Sequence, residues 1–220
     1  MLTMAQFNHT LYIIGAASTA LEIREAAELI DNNGYDCIVN VVENGGNCRY
    51  SFIEDKDLID HLKLSKCKSY IIGFTNQKLR AKYRILMEEN GALPTNVIHP
   101  TALISKSAMM GLGNYVAAYA VVSSESKVGS HNIINIAVTI GHNSEVGNDN
   151  IFNPGTKISG CVEIGNRCLF GANSFVYQGT KISSDCMVDA MTYLNQNLEE
   201  PSICTCNTGF KKYKNRMSSL

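Results

Sequence analysis

The sequence predicts two unlike units in tandem: a small α/β domain with a parallel sheet, followed by a three-sided β-solenoid. Three observations carry this prediction. The first 96 residues alternate short apolar runs with stretches of helical spacing. From Ile98 onward every sixth residue is apolar. Four residues after each of these the side chain is mostly small.

In the first unit, Leu11–Gly15 is an apolar run closed by glycine. Ser18–Asp31 carries Leu21, Ile23, Ala26, Ala27 and Ile30 at helical spacing and stops at Asn33-Gly34. Cys37–Val42 reads as a second buried strand, Leu58–Leu62 as a short helix and Tyr70–Phe74 as a third strand. Gln77–Asn90 reads as a helix with Leu79, Tyr83, Leu86 and Met87 on one face. Such alternation implies a Rossmann-like parallel sheet with helices on its faces, whose ligands bind at the carboxyl ends of the strands.

In the second unit the apolar residues are Ile98, Ile104, Met110, Val116, Val122, Val128, Ile134, Ile140, Val146, Phe152, Ile158, Ile164, Phe170, Val176, Ile182, Val188 and Leu194. Neither a helical period nor a strand period of two explains a strict six. Each of these residues is expected to point into a narrow interior, stacked on its counterpart in the next coil. Small residues such as Ala120, Ser126, Ser144, Thr156 and Cys168 fill the space beside it, and glycines or asparagines are expected to turn the corners. Three sides make a turn of 18 residues, and roughly five to six coils stack to bury one core. The predicted organisation is 1–96 (α/β), 97–200 (solenoid) and 201–220 (tail).

Composition excludes several classes. Nineteen Lys plus Arg stand against 20 Asp plus Glu, a net charge of −1, which argues against a nucleic-acid binder. No apolar run reaches the roughly 18 residues of a membrane span. The start, Met1–Gly15, lacks a basic region and a cleavage site, so no signal peptide is expected and the location is read as cytoplasmic. Eight cysteines show no C-x-x-C spacing and are expected to be reduced and mostly buried. His99, His131 and His142 are not spaced to converge on zinc across 18-residue coils, so no metal is expected.

The hexad run resembles the hexapeptide-repeat acyltransferases, and that resemblance implies a left-handed parallel β-helix. With the α/β domain, the chain from about Leu11 to Leu198 resembles the sialic-acid O-acetyltransferase and bacillosamine N-acetyltransferase group, which acylates sugars for bacterial glycans. The segments carrying the match are Asn96-Val97-Ile98-His99-Pro100-Thr101-Ala102, Ile72-Gly73-Phe74-Thr75-Asn76 with Arg80, and Ile140-Gly141-His142. The resemblance implies a homotrimer with sites between subunits and acetyl-CoA as donor.

His142 lies two residues past inward Ile140, near a corner from which it can leave the coil. The resemblance makes it the general base, a task suited to imidazole at neutral pH. Where the group usually has an acid directly after the histidine, this chain has Asn143, which can hold the ring but supplies no charge. Glu145 is a candidate replacement acid. A second histidine of the group falls here on Ile151, and Asn135 matches an asparagine near the base. Gly160, one turn after His142, is expected to present its N–H to the oxyanion of the thioester, and the resemblance agrees.

The resemblance runs the coenzyme along the later coils, near Ala172 and Ala190, with Lys211, Lys212, Lys214 and Arg216 as candidates for its phosphates. The acceptor's nucleotide is expected in the α/β domain. There the usual Gly-x-Gly-Gly-His-Gly loop is replaced by Gly15-Ala16-Ala17-Ser18-Thr19-Ala20. Ser18 and Thr19 offer hydroxyls, Ser18 also as a helix N-cap, and Glu43, Gly73, Thr75 and Asn76 line the same crevice. The expected reaction is N-acylation of a nucleotide-linked amino sugar. Alternatives are O-acetylation of a sialic-acid-type sugar, or nucleotide-sugar binding on a catalytically weakened scaffold.

Overall fold

The computed structural model describes residues 8–30, 34–199 and 202–206. The α/β unit runs β1 (His9–Ile14), α1 (Ser18–Leu29), β2 (Cys37–Val42), β3 (Phe52–Glu54), α2 (Leu58–Leu64), β4 (Cys67–Ile72), α3 (Gln77–Glu89) and β5 (Leu93–Pro94). The strands form one parallel sheet in the order β3-β2-β1-β4-β5. Central β1 is buried on both faces, which is why it reads as an unbroken apolar run. Leu11 and Ile13 join Ala20, Ile23 and Ala27 of α1 on one side. Tyr12 and Ile14 join Leu58, Leu62 and Met87 on the other. The edge strands β3 and β5 were not expected from the sequence; both are too short to show a period.

The solenoid contains seventeen two-residue strands from Val97–Ile98 to Tyr193–Leu194, and each ends on one of the predicted apolar residues. Parallel pairing joins residues 18 apart, as in Val122↔Ile140 and Ile140↔Ile158. The strands stack into three flat sheets. The first face contains Ile98, Val116, Ile134 and Phe152, the second Ile104, Val122, Ile140 and Ile158, and the third Met110, Val128, Val146 and Ile164. The inward residues form a single core, in which Phe152 and Phe170 stack at 4.8 Å.

The corners differ from expectation. The left-handed residue lies three positions past the inward one and is usually not glycine: Tyr119, Glu125, His131, Ala137, Asn143 and Asp149 all have positive φ. The glycines directly after inward residues serve close approach instead. A Cβ on Gly141 would sit 2.4 Å from the Ser159 carbonyl carbon of the next coil. The small polar residues close corner carbonyls, with Ser126 Oγ donating to Gly141 O and Ser144 Oγ to Ser159 O.

At the corner between the third and first faces the inward residue is asparagine. Asn132 N–H donates to Asn114 Oδ1 and Asn150 N–H to Asn132 Oδ1, both at 2.8 Å. The ladder continues from Cys168 N–H to Asn150 Oδ1 at 2.7 Å. Each side chain satisfies backbone groups that water cannot reach.

Past Leu194 the period shortens: Val188 pairs with Cys204, and strand Ile203–Cys204 extends the stack beyond residue 200, into what the sequence suggested was tail. All eight cysteines are free thiols, but only Cys168 and Cys186 are buried; the expectation of mostly buried thiols fails because Cys67, Cys161 and Cys206 lie on exposed turns or ends.

The α/β domain docks on the first face. Outward Val97, Tyr115, Ile133 and Ile151 are buried against the Leu11, Ile13 and α1 cluster. Helix α3 clamps the adjoining corner: Arg80 donates to His131 O, Gln77 Nε2 to Asp149 O at 2.8 Å, and Arg84 pairs with Asp149 at 2.7 Å. His131 stacks on Tyr70 at 6.1 Å.

Candidate functional site

His142 and Gly160 lie on the corner between the second and third faces, one coil apart. The exposed imidazole reaches over the Gly160 Cα. A Cβ built on Gly160 would lie 2.6 Å from His142 Nε2 and 2.7 Å from Cε1. Cys161 N–H donates to His142 O at 2.8 Å, which fixes the stacking. The Gly160 N–H donates no hydrogen bond among the described residues.

Asn143, in the left-handed conformation that asparagine tolerates, turns its side chain back to the ring. His142 Nδ1 lies 2.9 Å from Asn143 Oδ1. An amide oxygen only accepts, so Nδ1 carries the proton and the Nε2 lone pair faces the Gly160 side. The Glu145 expectation is corrected. Its carboxylate points out from the third face and pairs with Lys127 at 2.7 Å, because a residue directly before an inward position faces outward. Asn135 sits on the preceding corner, and its Oδ1 accepts from its neighbour Ile136 N–H at 2.8 Å. Ile151 is buried beneath the α/β domain, which is why an apolar residue stands there.

Ala172 and Ala190 stack on a third line, the corner between the first and second faces, where Met191 N–H donates to Ala172 O at 2.9 Å. A single chain therefore does not bring them beside His142 and Gly160. Lys211, Lys212, Lys214 and Arg216 lie outside the described residues.

A crevice of about 770 Å³ opens at the carboxyl ends of β1, β2 and β4. It gathers Gly15, Glu43, Gly73, Thr75 and Asn76, but not Ser18 or Thr19. The α1 N-cap is Ala17, without a side-chain bond, and Ser18 is the first helical residue, so the expectation of a Ser18 cap is corrected. The Gly15 groups are spent internally: its N–H donates to Val41 O and its carbonyl accepts from Asn40 Nδ2, both at 2.9 Å. Gly73 allows α1 to pack, since a Cβ there would lie 2.7 Å from Ala20 Cα. Asn76 Oδ1 caps α3 by accepting from Leu79 N–H at 3.1 Å.

The sequence reading missed Asp55, Lys82 and Tyr83, which also line the crevice. Burial and a hydrogen bond to Asp55 push the Tyr83 phenol up to about 12. These residues come from the far end of β3 and from α3, where Tyr83 is buried and Lys82 exposed, and no spacing links them. Among the described residues no three His, Cys, Asp or Glu side chains converge as a metal site.

Comparison with known proteins agrees with this architecture. Residues 161–196 match the family described as the hexapeptide repeat of succinyl-transferase. No curated protein matches the sequence. Among solved structures, the acetyltransferase domain of PglB from Neisseria gonorrhoeae superposes with a TM-score of 0.81 at 23% identity, over 89% of this chain and 96% of that one. A mutant of perosamine N-acetyltransferase from Caulobacter crescentus, in complex with CoA and GDP-perosamine, gives 0.78 at 22% identity over 88% and 90%. WeeI from Acinetobacter baumannii gives 0.69 at 16% identity over 90% and 97%. The chain thus shares the fold of these proteins, an α/β domain followed by a left-handed parallel β-helix of hexapeptide repeats.

Proposed function

We propose that this protein is a CoA-dependent N-acetyltransferase that acetylates the amine of a nucleotide-linked amino sugar in bacterial glycan biosynthesis. The observation that carries the reading is His142 Nε2 poised over Gly160. The sugar amine attacks the thioester carbonyl carbon, and the Gly160 N–H receives the developing oxyanion. The C–S bond then breaks. The proton lost by the nitrogen passes to His142 Nε2 and from there to the departing sulfur, giving the amide and free CoA. The neutral Asn143 holds the ring without adding charge. That suits an amine, which attacks unprotonated, better than a hydroxyl, which must be deprotonated. The crevice and its carboxylates would take the nucleotide.

The active protein is proposed to be a homotrimer with sites between chains. The α/β domain covers the first face, whereas His142 and Gly160 are on the corner opposite it. A nucleotide-sugar held in one chain's crevice is therefore better placed to meet another chain's histidine. Exposed Leu103, Tyr119, Ile136 and Met191 along and beside the second face offer the apolar surface for such contact. No helix of the described residues is long and apolar enough to cross a membrane. The proposed location is the cytoplasm, where acetyl-CoA and nucleotide sugars occur.

The test mixes two inactive variants, His142→Ala and a variant that fills the crevice from its exposed rim, Thr75→Trp. Recovery of thiol release on mixing supports sites shared between chains. Two active parents, or an inactive mixture of properly assembled oligomers, contradicts it.

A further inference from the structure

Inside the α/β crevice an acid and a base meet one aromatic ring without pairing with each other. Asp55 follows β3 on the turn that leads into α2, and Lys82 and Tyr83 are neighbours on α3. Lys56 N–H donates to Asn44 Oδ1 at 2.9 Å, which ties the Asp55 turn to the end of β2. The Tyr83 hydroxyl faces the Asp55 carboxylate, and Lys82 Nζ lies 5.2 Å from the centre of the same ring. Phe74 extends the wall, edge to face with Tyr83 at 5.9 Å. Tyr83 is buried, Asp55 is half-buried and Lys82 is exposed. Neither Asp55 nor Lys82 joins an ion pair among the described residues, although both line one cavity. A carboxylate with acceptor sites to spare and an ammonium with donors to spare therefore stand along one aromatic wall.

We propose that Asp55 and Lys82 select guanine as the base of the nucleotide-linked acceptor. The inference rests on the reading of this crevice as the nucleotide site; it adds which base the crevice takes and which residues choose it. An ionised carboxylate only accepts hydrogen bonds and an ammonium only donates them. The pair therefore fits an edge on which one acceptor stands beside two donors. Guanine has that edge: O6 accepts, while N1–H and the N2 amino group donate side by side. The two Asp55 oxygens carry about four acceptor sites, so the Tyr83 hydroxyl can orient one oxygen and leave room for both donors. Lys82 then serves O6. Uracil sets carbonyls on both sides of its only ring N–H, so a carboxylate there meets their lone pairs. Cytosine and adenine each offer one amino group beside a ring nitrogen that accepts, and satisfy only half of such a carboxylate. The Phe74–Tyr83 wall gives an apolar face to any base, so the choice falls to the two charges.

The experiment measures Kd of the full chain for GDP, UDP, CDP, ADP and inosine diphosphate by calorimetry. Inosine diphosphate is GDP without the N2 amino group. GDP is expected to bind about tenfold or more tightly than UDP, CDP and ADP, and loss of the N2 amino group to cost about tenfold. Asp55→Asn is expected to weaken GDP binding about 10–100-fold and to admit xanthosine diphosphate, whose C2 carbonyl accepts from the introduced amide. That gain also shows that the variant folds. Lys82→Met is expected to weaken GDP and inosine diphosphate alike, about tenfold, because both keep O6. A pyrimidine or adenine diphosphate that binds as tightly as GDP overturns the assignment. So does inosine diphosphate equal to GDP, or an Asp55→Asn variant that does not gain xanthosine diphosphate. Tight binding of UDP instead sinks the choice of base and leaves the nucleotide reading standing. If none of the diphosphates binds the unaltered protein, the nucleotide reading of the crevice itself fails and this inference falls with it.

Discussion

His142 Nε2 lies 2.6 Å from the point a Cβ on Gly160 would occupy. That relationship follows from the period: residues 18 apart stack, and the missing side chain of Gly160 lets the ring lie directly over it. It places the lone pair of an exposed ring over a buried amide that donates no hydrogen bond among the described residues.

Replacing His142 with alanine should reduce turnover of an amino-sugar acceptor about 10²–10⁴-fold, the usual contribution of a positioned base. Unchanged turnover would remove His142 from that role. Asn143→Asp should move the acid limb of the kcat/KM profile to higher pH, because a carboxylate beside the ring favours its protonated form. An identical profile would show that Asn143 does not position the ring.

The asparagine ladder should be costly to break. Asn132→Ala leaves the Asn150 N–H and the Gly147 carbonyl without their partners. Each unsatisfied buried group costs about 1–3 kcal/mol. Denaturant unfolding should show a loss of that order; a loss below about 0.5 kcal/mol would mean that the ladder is replaceable by water.

The clamp between domains should respond to charge. Arg80 is 2% exposed and has Asp149 at 3.9 Å, and Arg84 shares that carboxylate. Asp149→Asn should destabilise the protein by about 3–5 kcal/mol, the range for stranding a buried charge. A neutral effect would show that the backbone bonds of Arg80 suffice.

Stability should fall in mild acid. Burial lowers the pKa of both His131 and His61 below the ordinary 6.5. The unfolded chain then binds more protons than the folded one below about 6.5, so this contribution is fully present above that pH and is lost as pH falls through the folded values. The thermal midpoint should drop between about pH 7 and pH 5, and His131→Asn, compatible with the left-handed corner, should flatten the curve. An unaltered slope in the variant would contradict this.

The solenoid was legible because an interior one side chain wide demands an apolar residue at every sixth position, and nothing else in a soluble chain imposes that spacing. The corners were not legible. Left-handed φ falls on residues as varied as Tyr119, Glu125 and Arg167, because hydrogen bonds from the neighbouring coil enforce it. The Asn114–Asn132–Asn150 ladder escaped notice because a polar residue facing inward breaks the apolar rule while satisfying the backbone. The stacking of His142 on Gly160 could be reached by counting. The meeting of Glu43, Asp55 and Tyr83 in one crevice could not, since three separate elements bring them together.

The central claim is acetyl transfer on the His142–Gly160 corner, and free-thiol release from acetyl-CoA with nucleotide-linked amino sugars tests it most directly, comparing the natural chain with Gly160→Ala. On this account release is expected to require the amino sugar and to fall about 10²–10⁴-fold in the variant, which keeps the N–H but puts a methyl 2.6 Å from His142 Nε2 and so displaces the base. No release with any amino sugar, or release that Gly160→Ala leaves intact, would contradict it.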